Sequence, residues 1–233
     1  MVVDKVLGVL GGMGPLASAQ FMVRLTLLTP AEQDQEHIPT VLWSDPRVPP
    51  RTAARLAGGA DPLPVLLRGI RGLEAAGCGA IAIPCNTAHG WFESMRDATA
   101  LPILHIVDAA AAELARQGVA PGRIGLMGTA ATLAMRLYQD RLEGAGWDCL
   151  VPTAAEMERL VTPAIDLVKA NRVAEAYPPL AEVGRALAAR GARAVVLGCT
   201  EIPLGVAAGP ELPFPVIDTI DALARASITW ALD

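Results

Sequence analysis

Short apolar runs alternate along this chain with longer stretches whose apolar positions recur every three or four residues, the pattern of repeated βαβ units. Val6–Leu10 predicts a first strand, with a helix over Leu16–Leu28 behind it. Thr40–Trp43 predicts a second strand, Leu63–Ala76 a helix and Ala80–Ile83 a third strand. The pattern then restarts with a strand over Arg123–Met127, a helix over Thr132–Glu143 and a strand over Asp148–Val151. Helices over Ala154–Lys169 and Ala174–Ala189 and a strand over Ala194–Leu197 follow.

The restart predicts an internal duplication. Lys5-Val6-Leu7-Gly8-Val9-Leu10-Gly11 echoes Arg123-Ile124-Gly125-Leu126-Met127-Gly128, and 77 residues separate Gly8 from Cys85 where 74 separate Gly125 from Cys199. The fold class expected is α/β: two pseudo-symmetric three-layer lobes with mainly parallel sheets and an active site in the cleft between them. One lobe is expected over residues 1–103 plus 214–233, with Cys85, the tail Phe214–Ile217 and Ala222–Leu232 returning to complete it. The other spans 104–213 and carries Cys199.

Each of these cysteines ends an apolar run. Ile81-Ala82-Ile83-Pro84-Cys85 and Ala194-Val195-Val196-Leu197-Gly198-Cys199 read as buried parallel strands followed by a turn. In open α/β sheets, ligands bind beyond the carboxyl ends of the strands. Two thiols delivered there from two similar halves suit removal of a proton from one face of a carbon and its return to the other. A buried structural cysteine is the plain alternative for either residue alone, but it fits a matched pair poorly. Cys78 and Cys149 have no such counterpart and read as core or surface thiols.

Composition narrows the chemistry. Of 233 residues, 52% are hydrophobic and 18% charged, enough to bury a core, and the net charge of −5 without a basic cluster argues against a nucleic-acid partner. No uncharged apolar stretch approaches the ~20 residues of a membrane helix. Met1-Val2-Val3-Asp4-Lys5 lacks the basic and apolar regions of a secretion signal. Four scattered cysteines do not make a disulfide scaffold. A soluble cytoplasmic protein with reduced thiols is expected.

Gly11-Gly12-Met13-Gly14-Pro15-Leu16-Ala17 follows the first strand, and Gly12-x-Gly14-x-x-Ala17 fits the loose dinucleotide fingerprint. That reading needs an acidic residue ~20 positions on; Asp45 lies 31 beyond Gly14. A loop for a substrate or small anion fits better, and a merely tight turn stays open. Pro84-Cys85-Asn86-Thr87-Ala88-His89 places Asn86 and Thr87 as N-cap candidates whose free N–H groups attract a carboxylate. Cys85 and His89 are four apart, but no other His or Cys stands at ligand spacing, so no metal is expected. His37 and His105 read as structural or incidental. Pro49-Pro50-Arg51-Thr52 holds an arginine suited to bidentate carboxylate binding, or a solvated one. From spacing alone Lys169 is only a cation at a helix C-terminus.

Together, Leu10-Gly11-Gly12-Met13-Gly14-Pro15, Asp34-Gln35-Glu36-His37-Ile38-Pro39, Arg51-Thr52, Pro84-Cys85-Asn86-Thr87-Ala88-His89 and Leu197-Gly198-Cys199-Thr200-Glu201-Ile202-Pro203 closely resemble the aspartate/glutamate racemase family. Within it the chain is most similar to the cofactor-independent aspartate racemases. The resemblance covers nearly the whole chain. Relatives specific for glutamate typically carry His where this chain has Glu201. The resemblance implies a racemase without cofactor that interconverts L- and D-aspartate or glutamate, with Cys85 and Cys199 as the two acid/bases. It implies that Arg51 and Lys169 bind substrate carboxylates, that Met13, Thr52, Asn86, Thr87 and Thr200 complete the substrate site, and that the protein is a homodimer acting on a small amino acid. Two further readings stand beside it: an isomerase or lyase using one cysteine as nucleophile on a small dicarboxylate, and a non-catalytic two-lobed amino-acid-binding module.

Overall fold

The computed structural model describes residues 3–233, so Met1 and Val2, on which the reading of the chain's opening partly rests, lie outside it. It contains two four-stranded sheets, each parallel throughout. The first has the order β2-β1-β3-β4, from β1 (Leu7–Gly11), β2 (Thr40–Ser44), β3 (Ala80–Ala82) and β4 (Ile103–Leu104). The second repeats it as β6-β5-β7-β8, from β5 (Gly122–Gly128), β6 (Trp147–Leu150), β7 (Val195–Gly198) and β8 (Val216–Asp218). One compact unit runs up to Ala109 and takes in Ile220–Asp233; the other is Ala110–Thr219.

In the first unit the helices are α1 (Pro15–Leu28), α2 (Arg51–Leu56), α3 (Leu63–Ala75) and α4 (Phe92–Arg96), with α5 (Ile106–Arg116) crossing the boundary. Consecutive strand residues face opposite sides of a sheet. A Cβ on Gly11 would meet Ser18 of α1, while the Leu10 side chain lies against Gly69 of α3, so α1 and α3 cover opposite faces. That double cover explains why every residue of β1 is buried and why the strand reads as a continuous apolar run. Leu66, Ile70 and Leu73, one stripe of α3, pack with Leu10, Ile81 and Ile83. Each such side chain contributes about 1.5–3 kcal/mol by leaving water.

The second unit holds α6 (Ala130–Ala134), α7 (Gln139–Glu143), α8 (Ala154–Glu156), α9 (Thr162–Lys169), α10 (Val173–Ala189) and α11 (Glu201–Ala207), and α12 (Thr219–Leu232) leads back to the first. Leu180, Val183 and Leu187 of α10 and Ile165 and Val168 of α9 pack with Val195 and Leu197.

Three differences from the sequence reading have physical causes. The continuous helix expected over Thr132–Glu143 is broken, because Arg136 takes φ 53° and ends α6, turning Tyr138 fully into the core. The Ala154–Lys169 stretch contains a π-helical turn at Met157–Val161, just before Pro163, which lacks the N–H that a regular helix would use. Phe214–Ile217, expected to complete the first lobe, instead leads into β8, which pairs with β7 through Val195–Val216, Val196–Ile217 and Leu197–Asp218. After β7 and the short α11, the nearest open strand edge is that of β7 itself. β4 is the equivalent fourth strand of the first sheet, and its two residues are too short to announce themselves by periodicity.

Candidate functional site

In both sheets the chain goes from the strand second in order to one side, then crosses to the other side. The switch points therefore lie between β1 and β3 and between β5 and β7. Such points open a crevice beyond the carboxyl ends of the strands. Cys85 lies three residues beyond β3, and Cys199 immediately follows β7. Val9 pairs with Ala82 and Gly128 with Gly198, so the registers, continued past the strand ends, put Gly12 opposite Cys85 and Thr129 opposite Cys199. Both thiols are buried, each 4% exposed.

In the first unit, three loops surround Cys85. Gly12 has φ +89°, and a Cβ there would stand 2.5 Å from the Asp45 backbone, so only glycine lets the β1 and β2 loops pack this closely. Ser18 clamps the glycine loop: its hydroxyl accepts from Gly12 N–H at 2.9 Å and donates to Gly14 O at 2.8 Å. That bond occupies an N–H that a dinucleotide pyrophosphate would need, and Pro15 lacks another.

Buried Asp45 organises the second loop. It accepts from Arg47 Nε at 2.8 Å, Arg47 Nη2 at 3.0 Å, Arg47 N–H at 3.0 Å and Arg68 Nη2 at 3.1 Å. The Arg47 side chain, then its backbone N–H, hold the Asp45 carboxyl well below the usual carboxylate range against the opposing effect of burial.

Arg51 is not in a loop but opens α2. Its Nη1 donates to the carbonyls of Val48 (3.2 Å) and Pro49 (3.1 Å), and its Nη2 donates to that of Met13 (3.0 Å), stapling the β2 loop to the glycine loop. Its Nε is buried and without a hydrogen-bond partner among the described residues. Of five guanidinium donors, Nε–H and one Nη2–H remain uncommitted. Met13, Val48, Cys85 and Ala88 pack in one cluster, Asn86 and Thr87 are buried beside Cys85, and Thr52 is exposed.

His89 closes the Cys85 turn. Its Nε2 lies 3.2 Å from the Ile106 N–H, which only donates, so Nε2 is the acceptor and Nδ1 carries the proton. Nδ1–H then donates to the Cys85 carbonyl at 2.9 Å. This is a positioning arrangement, not a metal pair, and no metal-binding group of three or more His, Cys, Asp or Glu occurs among the described residues. His105, read as structural or incidental, meets His89 edge-on at 4.7 Å and Phe92 at 4.5 Å between ring centroids.

In the second unit, the Cys199 thiol donates to Glu201 Oε2 at 3.0 Å, and both side chains are buried. Thr200, 1% exposed, lies between them in sequence and stands at the N-cap of α11 without a side-chain capping bond to that helix. Thr129 caps α6, its hydroxyl accepting from Thr132 N–H at 3.1 Å. Fully buried Tyr138 faces Gly198, and burial, then the charge on Cys199, raise its phenol well above the usual range. Lys169 ends α9 as expected, but its ammonium is half-exposed and pairs with Asp166 at 3.2 Å. Asp45, His89, Glu201 and Thr129 take part in these arrangements without having been singled out as site residues. Only the register of the strands, which motif reading does not supply, would have pointed to Thr129.

A sequence model described as Asp/Glu/hydantoin racemase matches residues 10–227. Among solved structures, the chain is similar to Picrophilus torridus aspartate racemase, with 31% identity and a TM-score of 0.85 over 98% of this chain and 94% of that one. Francisella tularensis glutamate racemase in complex with D-glutamate has the same fold at 15% identity and a TM-score of 0.69, over 98% of this chain and 81% of that one. The broad-specificity amino-acid racemase RacX of Bacillus subtilis is 25% identical over 233 residues, 97% of this chain and 98% of that protein.

Proposed function

The chain belongs to the Asp/Glu/hydantoin racemase family, and from that premise we propose that it is a cofactor-independent amino-acid racemase that interconverts L- and D-aspartate with Cys85 and Cys199 as its two acid/bases. The observation carrying this reading is the repeated topology: each thiol follows the strand beside the switch point of its own sheet, in matching register. Aspartate is favoured over glutamate by the 31% identity to the Picrophilus enzyme across 98% of this chain. A broader amino-acid range is the second reading, favoured by the full-length similarity to RacX.

In this mechanism one cysteine enters as thiolate and the other as thiol, and their roles exchange with direction. The thiolate takes the α-proton, and the opposite thiol delivers a proton to the other face of the carbanion. An α-proton is far less acidic than a thiol of ordinary pKa ~8.5, so the developing enediolate needs donors around it. Asn86, Thr87 and Thr200, all buried beside the cysteines, are proposed as those donors. The remaining Arg51 donors would grip a carboxylate. Lys169 would serve as the second cation after leaving Asp166. A homodimer in the cytoplasm belongs to the same reading. No helix among the described residues is long and apolar enough to cross a membrane.

The test is chiral chromatography of L-aspartate incubated with reduced protein and no cofactor, L-glutamate in parallel. D-aspartate approaching equal amounts of both enantiomers, lost in Cys85→Ala and in Cys199→Ala, is the expected result. No D-product from either acid, with thiols verified free, overturns the assignment and redirects the search to other amino acids and to dicarboxylate isomerase or lyase chemistry.

A further inference from the structure

Arg51 begins α2, and none of the six residues of that helix is buried. A helix this short does not hold in water by itself, so contacts made by its polar side chains must keep it in place. Arg51 and Arg55 stand four residues apart and therefore leave the helix on one side. Arg51 fastens the start of α2 to the glycine loop through the Met13 carbonyl at 3.0 Å. Arg55 fastens its end to the segment that follows Cys85. Its Nη2 donates to the Gly90 carbonyl, and its guanidinium lies over the Trp91 ring, 4.5 Å from the centroid. The indole is held at its edge, where Nε1 donates to Asp61 Oδ1 at 3.0 Å; the same oxygen accepts from Leu63 N–H at 3.0 Å as α3 begins. Residues 57–61, which join α2 to α3, are all exposed, and a Cβ on Gly58 would meet nothing within 4 Å. The linker thus gives α2 no apolar anchor at the end that Arg55 holds.

We propose that Arg55 is the positioning residue of Arg51: by clasping the Trp91 ring and the Gly90 carbonyl it docks α2, and so aims the uncommitted Nε–H and Nη2–H of Arg51 at a substrate carboxylate. The proposal rests on the racemase reading above, in which Arg51 is the carboxylate grip. Arg51 Nε is buried and without a hydrogen-bond partner among the described residues. A buried donor left unmatched is costly, and a carboxylate that meets it recovers that cost. An undocked α2 would carry this donor away from the glycine loop. Only the docked fraction of molecules then binds substrate, and apparent affinity falls in proportion to that fraction. Bound substrate itself holds Arg51, and with it α2, so the saturated enzyme is alike with or without the clasp. Arg55 therefore acts on KM and leaves kcat.

Two substitutions separate the clasp from the helix. Arg55→Met keeps the stem and the helix propensity but removes the charge and the donors; Arg55→Lys keeps a cation over the ring. Amide hydrogen exchange of the protein without substrate is read first. Arg55→Met is expected to speed exchange over α2 by about 3- to 10-fold, the scale of one cation–π contact, with β1 and β3 unchanged and Arg55→Lys close to the unaltered protein. Racemisation of L-aspartate is read next. In Arg55→Met KM rises by about the same factor while kcat stays within about twofold, and Arg55→Lys recovers most of the loss. Once Arg51→Ala has removed the grip, adding Arg55→Met changes kcat/KM by less than about twofold. Unchanged exchange over α2 in Arg55→Met overturns the clasp; should that variant not fold, Arg55→Gln, equally without a cation, takes its place. Faster exchange with an unchanged KM, or with the same loss in the Arg51→Ala background, overturns the link to Arg51. Faster exchange in a protein that racemises neither enantiomer keeps the clasp and removes the racemase reading.

Discussion

His89 donates from Nδ1 to the carbonyl oxygen of Cys85 at 2.9 Å, and this bond determines the path of the turn that presents the thiol. The same ring accepts from Ile106 N–H at 3.2 Å, so one neutral imidazole ties the end of β3 to the start of α5. His89→Ala leaves a buried N–H and a buried carbonyl to find new partners, with a stability cost of about 1–3 kcal/mol. Because small misplacements of a reacting group are costly, kcat should fall by about 10- to 100-fold. Urea denaturation and steady-state racemisation measure the two effects; an unchanged kcat would remove His89 from the positioning of Cys85.

Gly12→Ala tests the approach of the β1 and β2 loops. The new Cβ would meet the Asp45 backbone at 2.5 Å, and the residue sits at φ +89°. A cost of about 1–3 kcal/mol from the backbone conformation alone is expected, with further loss from the clash and a sharp drop in activity. Thermal unfolding followed by circular dichroism reads the first, and a wild-type melting temperature would contradict the packing described.

Asp45 carries a pH dependence of definite sign. Its folded carboxyl titrates below the unfolded value of ~3.9, chiefly through Arg47. Its contribution is therefore complete above the unfolded value and is lost as pH falls through the folded one. The melting-temperature gap between wild type and Asp45→Asn should stay constant from about pH 5 to pH 8 and close as pH drops below about 4. A gap that widens on acidification would reverse the sign argued here.

Arg51→Lys separates loop stapling from charge. One ammonium does not reproduce three fork-shaped contacts to Val48, Pro49 and Met13. Expected are a loss of about 1–2 kcal/mol in stability and a rise in KM for aspartate of about 10-fold, roughly the 1.4 kcal/mol of one charge-assisted bond. Full retention of both would show that a positive charge alone suffices.

Asp34–Pro39, Met13–Pro15 and the two cysteine motifs were legible as a family signature, and the duplicated strand spacing was legible as two similar halves. These are local properties: a buried parallel strand must be apolar on both sides, and a turn after it must carry small and capping residues, so both write themselves into consecutive positions. The segment that forms the edge strand β8 was legible only as a tail of the first lobe and not as a member of the second sheet, since pairing partners are chosen by crossover geometry and not by the strand's own residues. β4 was not legible at all, its two residues being too few for a period.

The site divides the same way. Cys85 and Cys199 stand out in the chain because a polar residue ends each apolar run. Arg51 as staple, Asp45 as anchor, the tautomer of His89 and the thiol–carboxylate bond of Cys199 depend on atoms meeting across loops or around a turn, and no spacing encodes them. Sequence by itself determined which elements form and which residue types stand at their ends, because hydrophobic periodicity and capping act over a few residues. Only the tertiary structure decided which donors are already spent and which acid sits against which thiol, because a hydrogen bond is set by where the path of the backbone places two atoms, across loops or around a turn, and not by their spacing in the sequence.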